Sequence, residues 1–178
     1  MDILREHHFR PGEGSEAAIA VRYIDAQCGI ADKLKASGDF KAAMDAYKAA
    51  KTIPDWLDGS IGGEAPYFRA MLGEAECLRE LSPSGSAEAD EITAHIAGAS
   101  PDALLRARLL ISLGRKDEAK ALLEKKLAEW KAEMKKRDSG YYSSQPAYLS
   151  YLEPSAADRK RRFSPLIKEA EKIMGEIG

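Results

Sequence analysis

The stretch Gly38-Asp39-Phe40-Lys41-Ala42-Ala43-Met44-Asp45-Ala46-Tyr47-Lys48-Ala49-Ala50-Lys51-Thr52-Ile53-Pro54 places a turn, an amphipathic helix and a breaker in succession. Gly38 is free to take the left-handed conformation that ends a preceding helix. Phe40, Ala43, Met44, Tyr47 and Ala50 then recur at helical spacing, so one face of the new helix must be buried. The partner is the segment just before the turn, where Ile19, Tyr23, Ala26, Ile30 and Leu34 form a matching stripe that begins after Ser15, a candidate N-cap. Ala31 and Ala43 fall where two antiparallel helices would touch, and their methyl groups permit close approach.

Working outward, a similar pattern returns downstream. Leu109, Leu110 and Leu113 lead to Gly114-Arg115-Lys116, then to Ala119, Leu122, Leu123, Leu127, Trp130 and Met134. Between the two, Ala65 to Leu81 predicts a further first helix containing Leu72-Gly73 and Ala75. Its partner over about Ala87 to Ala97 follows the loop Ser82-Pro83-Ser84-Gly85-Ser86 and fits the pattern poorly. The expected organisation is an N-terminal arm over 1–14 and one all-α domain over 15–178. Within it fall hairpins at about 15–54, 64–98 and 101–136, a tyrosine-rich loop over 138–154 and a terminal helix over 155–177. That last helix carries Phe163, Leu166, Ile167, Ala170, Ile173, Met174 and Ile177 as a stripe, and Ser155 with Asp158 reads as a capping box at its start. Pro165 either kinks it or restarts it with Ser164 as N-cap.

Composition narrows the function classes. The 178 residues are 44% apolar and the formal net charge is -2. That balance hides an asymmetry, since residues 1–100 carry 10 basic and 17 acidic side chains and residues 101–178 carry 17 and 12. A uniformly basic nucleic-acid binder is therefore not expected. Cys28 and Cys77 stand singly, without a CxxC pair or an even framework, which points to a reducing, cytoplasmic setting. No stretch approaches the roughly 20 apolar residues of a spanning helix, so no membrane partner is expected.

Residues that carry chemistry elsewhere have structural readings here. His7 and His8 with Glu13 and Glu16 lack the i,i+4 spacing of a helical metal site, and neither metal nor cofactor is expected. Tyr141, Tyr142, Tyr148 and Tyr151 crowd one irregular segment, where their amphipathic rings suit packing over the end of a helical stack. Lys125 with Glu129 and Glu133 with Arg137 form i,i+4 pairs on a solvated face. Arg159-Lys160-Arg161-Arg162 is denser, but it sits beside Phe163 at the start of an amphipathic helix. No nucleophile and base stand in partnership, so no catalytic residue is assigned and the chain is not expected to be an enzyme.

The segment from about Ile24 to Pro54, with Ile30, Ala31, Leu34, Gly38-Asp39-Phe40, Ala43, Tyr47 and Ala50, resembles a tetratricopeptide repeat, whose period is about 34 residues. The resemblance implies a right-handed superhelix of hairpins in which each first helix lines a concave groove. Here that groove would expose Asp25, Cys28, Asp32 and Lys35 in the first repeat and Leu104, Arg108 and Ile111 in the third. Repeats that clamp the C-terminal carboxylate of chaperones carry an asparagine where Asp32 stands, which points away from that partner class. Over nearly the whole chain, Phe9 to Glu16, Pro54-Asp55-Trp56-Leu57-Asp58-Gly59 and Tyr148 to Pro154 with the basic run resemble the C-terminal tetratricopeptide region of large bacterial DUF5107 proteins. The resemblance implies a non-catalytic scaffold for a protein or peptide segment. The alternative it implies is an accessory C-terminal region of a larger carbohydrate-active enzyme whose N-terminal loop reaches a neighbouring site, the arm with Phe9, Pro11, Glu13 and Glu16 docking on an upstream domain of the same polypeptide.

Overall fold

The computed structural model describes residues 16–55, 63–82, 85–136 and 155–177. They form seven α-helices: α1 Glu16–Ala36, α2 Phe40–Ala50, α3 Phe68–Leu81, α4 Gly85–Ala99, α5 Ala103–Ser112, α6 Lys116–Lys135 and α7 Ala156–Ile177. A short 3-10 turn, Ala65–Tyr67, leads into α3, and no strand occurs among the described residues. The all-α reading therefore holds, with helices at the expected places along the chain.

Where one domain over 15–178 is expected, the chain divides into two compact units, one ending at Pro101 and the other beginning at Asp102. The break follows from local chemistry. Helix α4 ends at Ala99, Pro101 has no amide to donate, and Asp102 starts a new helix by accepting from the amides of Leu104 (2.9 Å) and Leu105 (3.2 Å).

In the first unit α1 packs on α2, α2 on α3, α3 on α4, and α1 also touches α3. The turn between α1 and α2 closes as the sequence requires, with Gly38 at φ +84°. The Asp39 amide donates to the Leu34 carbonyl (3.0 Å) and the Gly38 amide to that of Lys35 (3.0 Å), a Schellman arrangement that satisfies the last carbonyls of α1. Asp39 then caps α2 by accepting from the Ala42 amide (3.0 Å). The core beneath joins Ile24, Cys28 and Ala31 of α1 to Ala43, Tyr47 and Ala50 of α2 and to Ala70 and Cys77 of α3. Ala31 and Ala43 are fully buried, as close helix approach demands.

Helix α4 forms in full despite its poor match to the repeat pattern. Its buried side is the sparse set Ala89, Thr93, Ile96 and Ala97. The Thr93 hydroxyl is accommodated by donating to the Ala89 carbonyl (2.7 Å) and accepting from Arg79 of α3 (3.0 Å).

In the second unit α5 packs on α6, α6 on α7, and α5 also touches α7. The turn at Gly114 (φ +75°) repeats the Schellman pair of the first: Arg115 donates to the Leu110 carbonyl (2.8 Å) and Gly114 to that of Ile111 (2.9 Å), although the Arg115 side chain makes no cap bond to match that of Asp39. Buried apolar residues are Ala103, Ala107 and Leu110 of α5, Ala119 and Leu123 of α6, and Ile167, Ala170 and Ile173 of α7. At the start of α7, Ser155 Oγ accepts from the Asp158 amide (3.1 Å) and donates to the Asp158 carboxylate (2.8 Å). The helix continues through Pro165, so the restart at Ser164 does not occur.

Three expectations are corrected. The buried stripe of α1 is Ala20, Ile24, Cys28 and Ala31 and not Ile19, Tyr23, Ala26, Ile30 and Leu34, of which Ala26 is exposed and Ile30 is 50% exposed. Glu16 is the first residue of α1 and not part of an arm. Cys28 does not face an open groove. It is fully buried, because the α1 stripe that meets α2 and α3 includes position 28. Phe9, Pro11, Glu13, the Ser15 cap and the four clustered tyrosines lie outside the described residues.

Candidate functional site

Positions 25, 32 and 35 fall on one face of α1, since seven and three residues both bring a helix back near the same side. On α3, Arg69 and Glu76 are likewise seven apart. The contact between the two helices brings these sets together with opposite charges opposed. Arg69 Nη2 donates to Asp32 Oδ2 at 2.6 Å, and its Nη1 stands 3.6 Å from Asp25 Oδ1. Lys35 Nζ donates to Glu76 Oε2.

Asp32 is the junction of three helices. Besides Arg69 of α3 it receives a hydrogen bond from the Tyr47 hydroxyl of α2. Tyr47 is 1% exposed, and Lys35 Nζ lies 5.9 Å from the centroid of its ring. The ring occupies the space left by Gly73 of α3, where an added Cβ would come within 2.2 Å of Tyr47 Cζ. Burial alone would raise the Asp32 carboxyl, but the Tyr47 hydroxyl and the Arg69 and Lys35 cations together hold it below the ordinary carboxylate range. Burial, and then the donation to Asp32, push the Tyr47 hydroxyl upward. The hydrogen bond to Glu76 is the main reason Lys35 is held above its ordinary value.

Beneath this polar layer lie two free thiols, Cys28 and Cys77, both buried. Desolvation raises each of them, so the nucleophilic thiolate is disfavoured in both. On the other side of α3, Glu74 is 4% exposed and compensated by Lys51 and, at 3.9 Å, Lys48 of α2.

The second unit has a smaller counterpart. Leu104, Arg108 and Ile111 share a face of α5, with the two apolar side chains half-buried. Arg108 reaches Glu169 of α7. Lys131 of α6 pairs with Glu171 of α7 at 2.7 Å. The basic run separates into distinct roles: Arg159, only 6% exposed, donates through Nη2 to the Lys136 carbonyl at the end of α6 (2.8 Å). Arg161 pairs with Asp158 (2.8 Å), and the Arg162 guanidinium lies 5.3 Å from the centroid of the Phe163 ring. On α6 the ion pairs form at i,i+3, between Lys126 and Glu129 (2.6 Å) and between Glu133 and Lys136 (2.5 Å), and not at the expected Lys125–Glu129 spacing. Arg137 lies outside the described residues.

Sequence reasoning located Asp25, Asp32, Lys35 and Arg108 but not their partners. Arg69, Glu76 and Glu169 lie tens of residues away, and the recoverable signal is the complementary charge of Arg69 and Glu76 at a seven-residue spacing. Tyr47 was legible as core, while its hydroxyl's engagement with Asp32 was not.

Among the described residues no group of three or more His, Cys, Asp or Glu is arranged to hold a metal ion. No helix among them is long and apolar enough to cross a membrane. Comparison with protein-family models, with curated proteins and with solved structures finds no match.

Proposed function

We propose that the chain is a non-catalytic interaction scaffold built from tetratricopeptide-like hairpins and arranged as a right-handed superhelix with α7 as its terminal helix. The observation that carries this reading is recurrence. The Schellman turn at Gly38 returns at Gly114, and in both units the first helix of the hairpin also touches the helix that follows it. A repeat whose first helices lie side by side presents them as one extended surface, the form suited to a protein segment. In the first unit Asp25, Asp32 and Lys35 with Arg69 and Glu76 would line such a surface, and in the second unit, taken by itself, Leu104, Arg108 and Ile111 share one face of α5.

A scaffold role is supported by what the ionisable groups are doing. The Asp32 carboxylate is engaged by Tyr47 and Arg69, and the two thiols are buried and held toward the protonated form. The partner class proposed is a protein or peptide segment, with polar contacts in the first unit near Arg69 and Glu76.

The test is selection of a random peptide library on the purified protein, followed by calorimetry with the enriched sequences. Enriched peptides should bind with micromolar affinity and lose at least tenfold on Arg69→Glu or Glu76→Lys, in variants whose melting is first shown to be near that of the parent. Failure to enrich any peptide, or binding indifferent to both substitutions, rejects the groove.

A further inference from the structure

No further inference is drawn: the strongest candidate, the exposed basic corner where Lys135 and Lys136 at the end of α6 meet Lys160, Arg161 and Arg162 at the start of α7, has Lys136 and Arg161 engaged by neighbouring carboxylates and Arg162 set over the Phe163 ring, and nothing in the structure shows an anionic partner seated on it.

Discussion

At the scale of single residues, Gly73 and Asp32 decide most. Gly73 is required by space and not by backbone angle, because the Tyr47 ring fills the volume a side chain would take. Gly73→Ala should cost roughly 1 to 3 kcal/mol or more by overpacking. Gly98→Ala, in α4, meets nothing within 4 Å and should be neutral or gain up to about 1 kcal/mol from helix propensity. Urea unfolding of the two variants checks this, and equal midpoints would refute the contact. For Asp32 the linkage has a definite sign. Its folded carboxyl titrates below the ordinary value, so the stability it confers is fully present above the unfolded value near pH 4 and fades as pH falls through the folded one. Asp32→Asn lacks that contribution at every pH, so the stability curves of the two proteins should converge as pH falls below the ordinary carboxylate value near 4. Curves that stay parallel through this range would show that the carboxylate is not engaged. Tyr47→Phe removes only the donor and should cost roughly 1.5 to 3 kcal/mol near neutrality, as a hydrogen bond to a charged group does.

At the scale of elements, the glycine turns set the hairpins. Gly38 and Gly114 both have positive φ and open space around a would-be Cβ, so Gly38→Ala and Gly114→Ala test backbone strain alone. Each should lose about 1 to 2 kcal/mol, and by similar amounts because the same bonds close both turns. A large inequality measured by chemical denaturation would mean that the turns are not equivalent in solution. The face of α2 is tested separately. Ala43→Trp forces an indole into a fully buried helix contact and should collapse the hairpin, while Lys48→Trp, on the exposed side, should cost less than about 1 kcal/mol. Comparable melting temperatures would overturn the face assignment. These features were legible because they are local: a glycine after an apolar stripe, and alanines at helical spacing, are written in adjacent residues. The side-chain engagement of Thr93 on α4 was not, since it depends on Arg79 from the neighbouring helix.

At the scale of the whole molecule, two compact units imply two cooperative groups of amides. Native-state hydrogen exchange should show that Gly73→Ala speeds exchange in α1 to α3 while leaving α5 to α7 near the parent rate. Equal acceleration in both groups would instead indicate one cooperative block. The scaffold reading belongs to this scale too, because a groove of extended form is a property of helices set side by side and not of any one of them.

By itself the sequence determined the all-helical class, the left-handed turn at Gly38 and the burial of Ala31 and Ala43 where α1 meets α2. All of these follow from periodicity and backbone sterics acting over one or two turns of chain. Tertiary structure alone decided which charges meet, that Cys28 lies inside the core, and that Tyr47 donates to Asp32. Those outcomes depend on how α1, α2 and α3 are rotated against one another, and a rotation of that kind is set by the fit of Tyr47 over Gly73, two residues with no neighbourhood in the sequence.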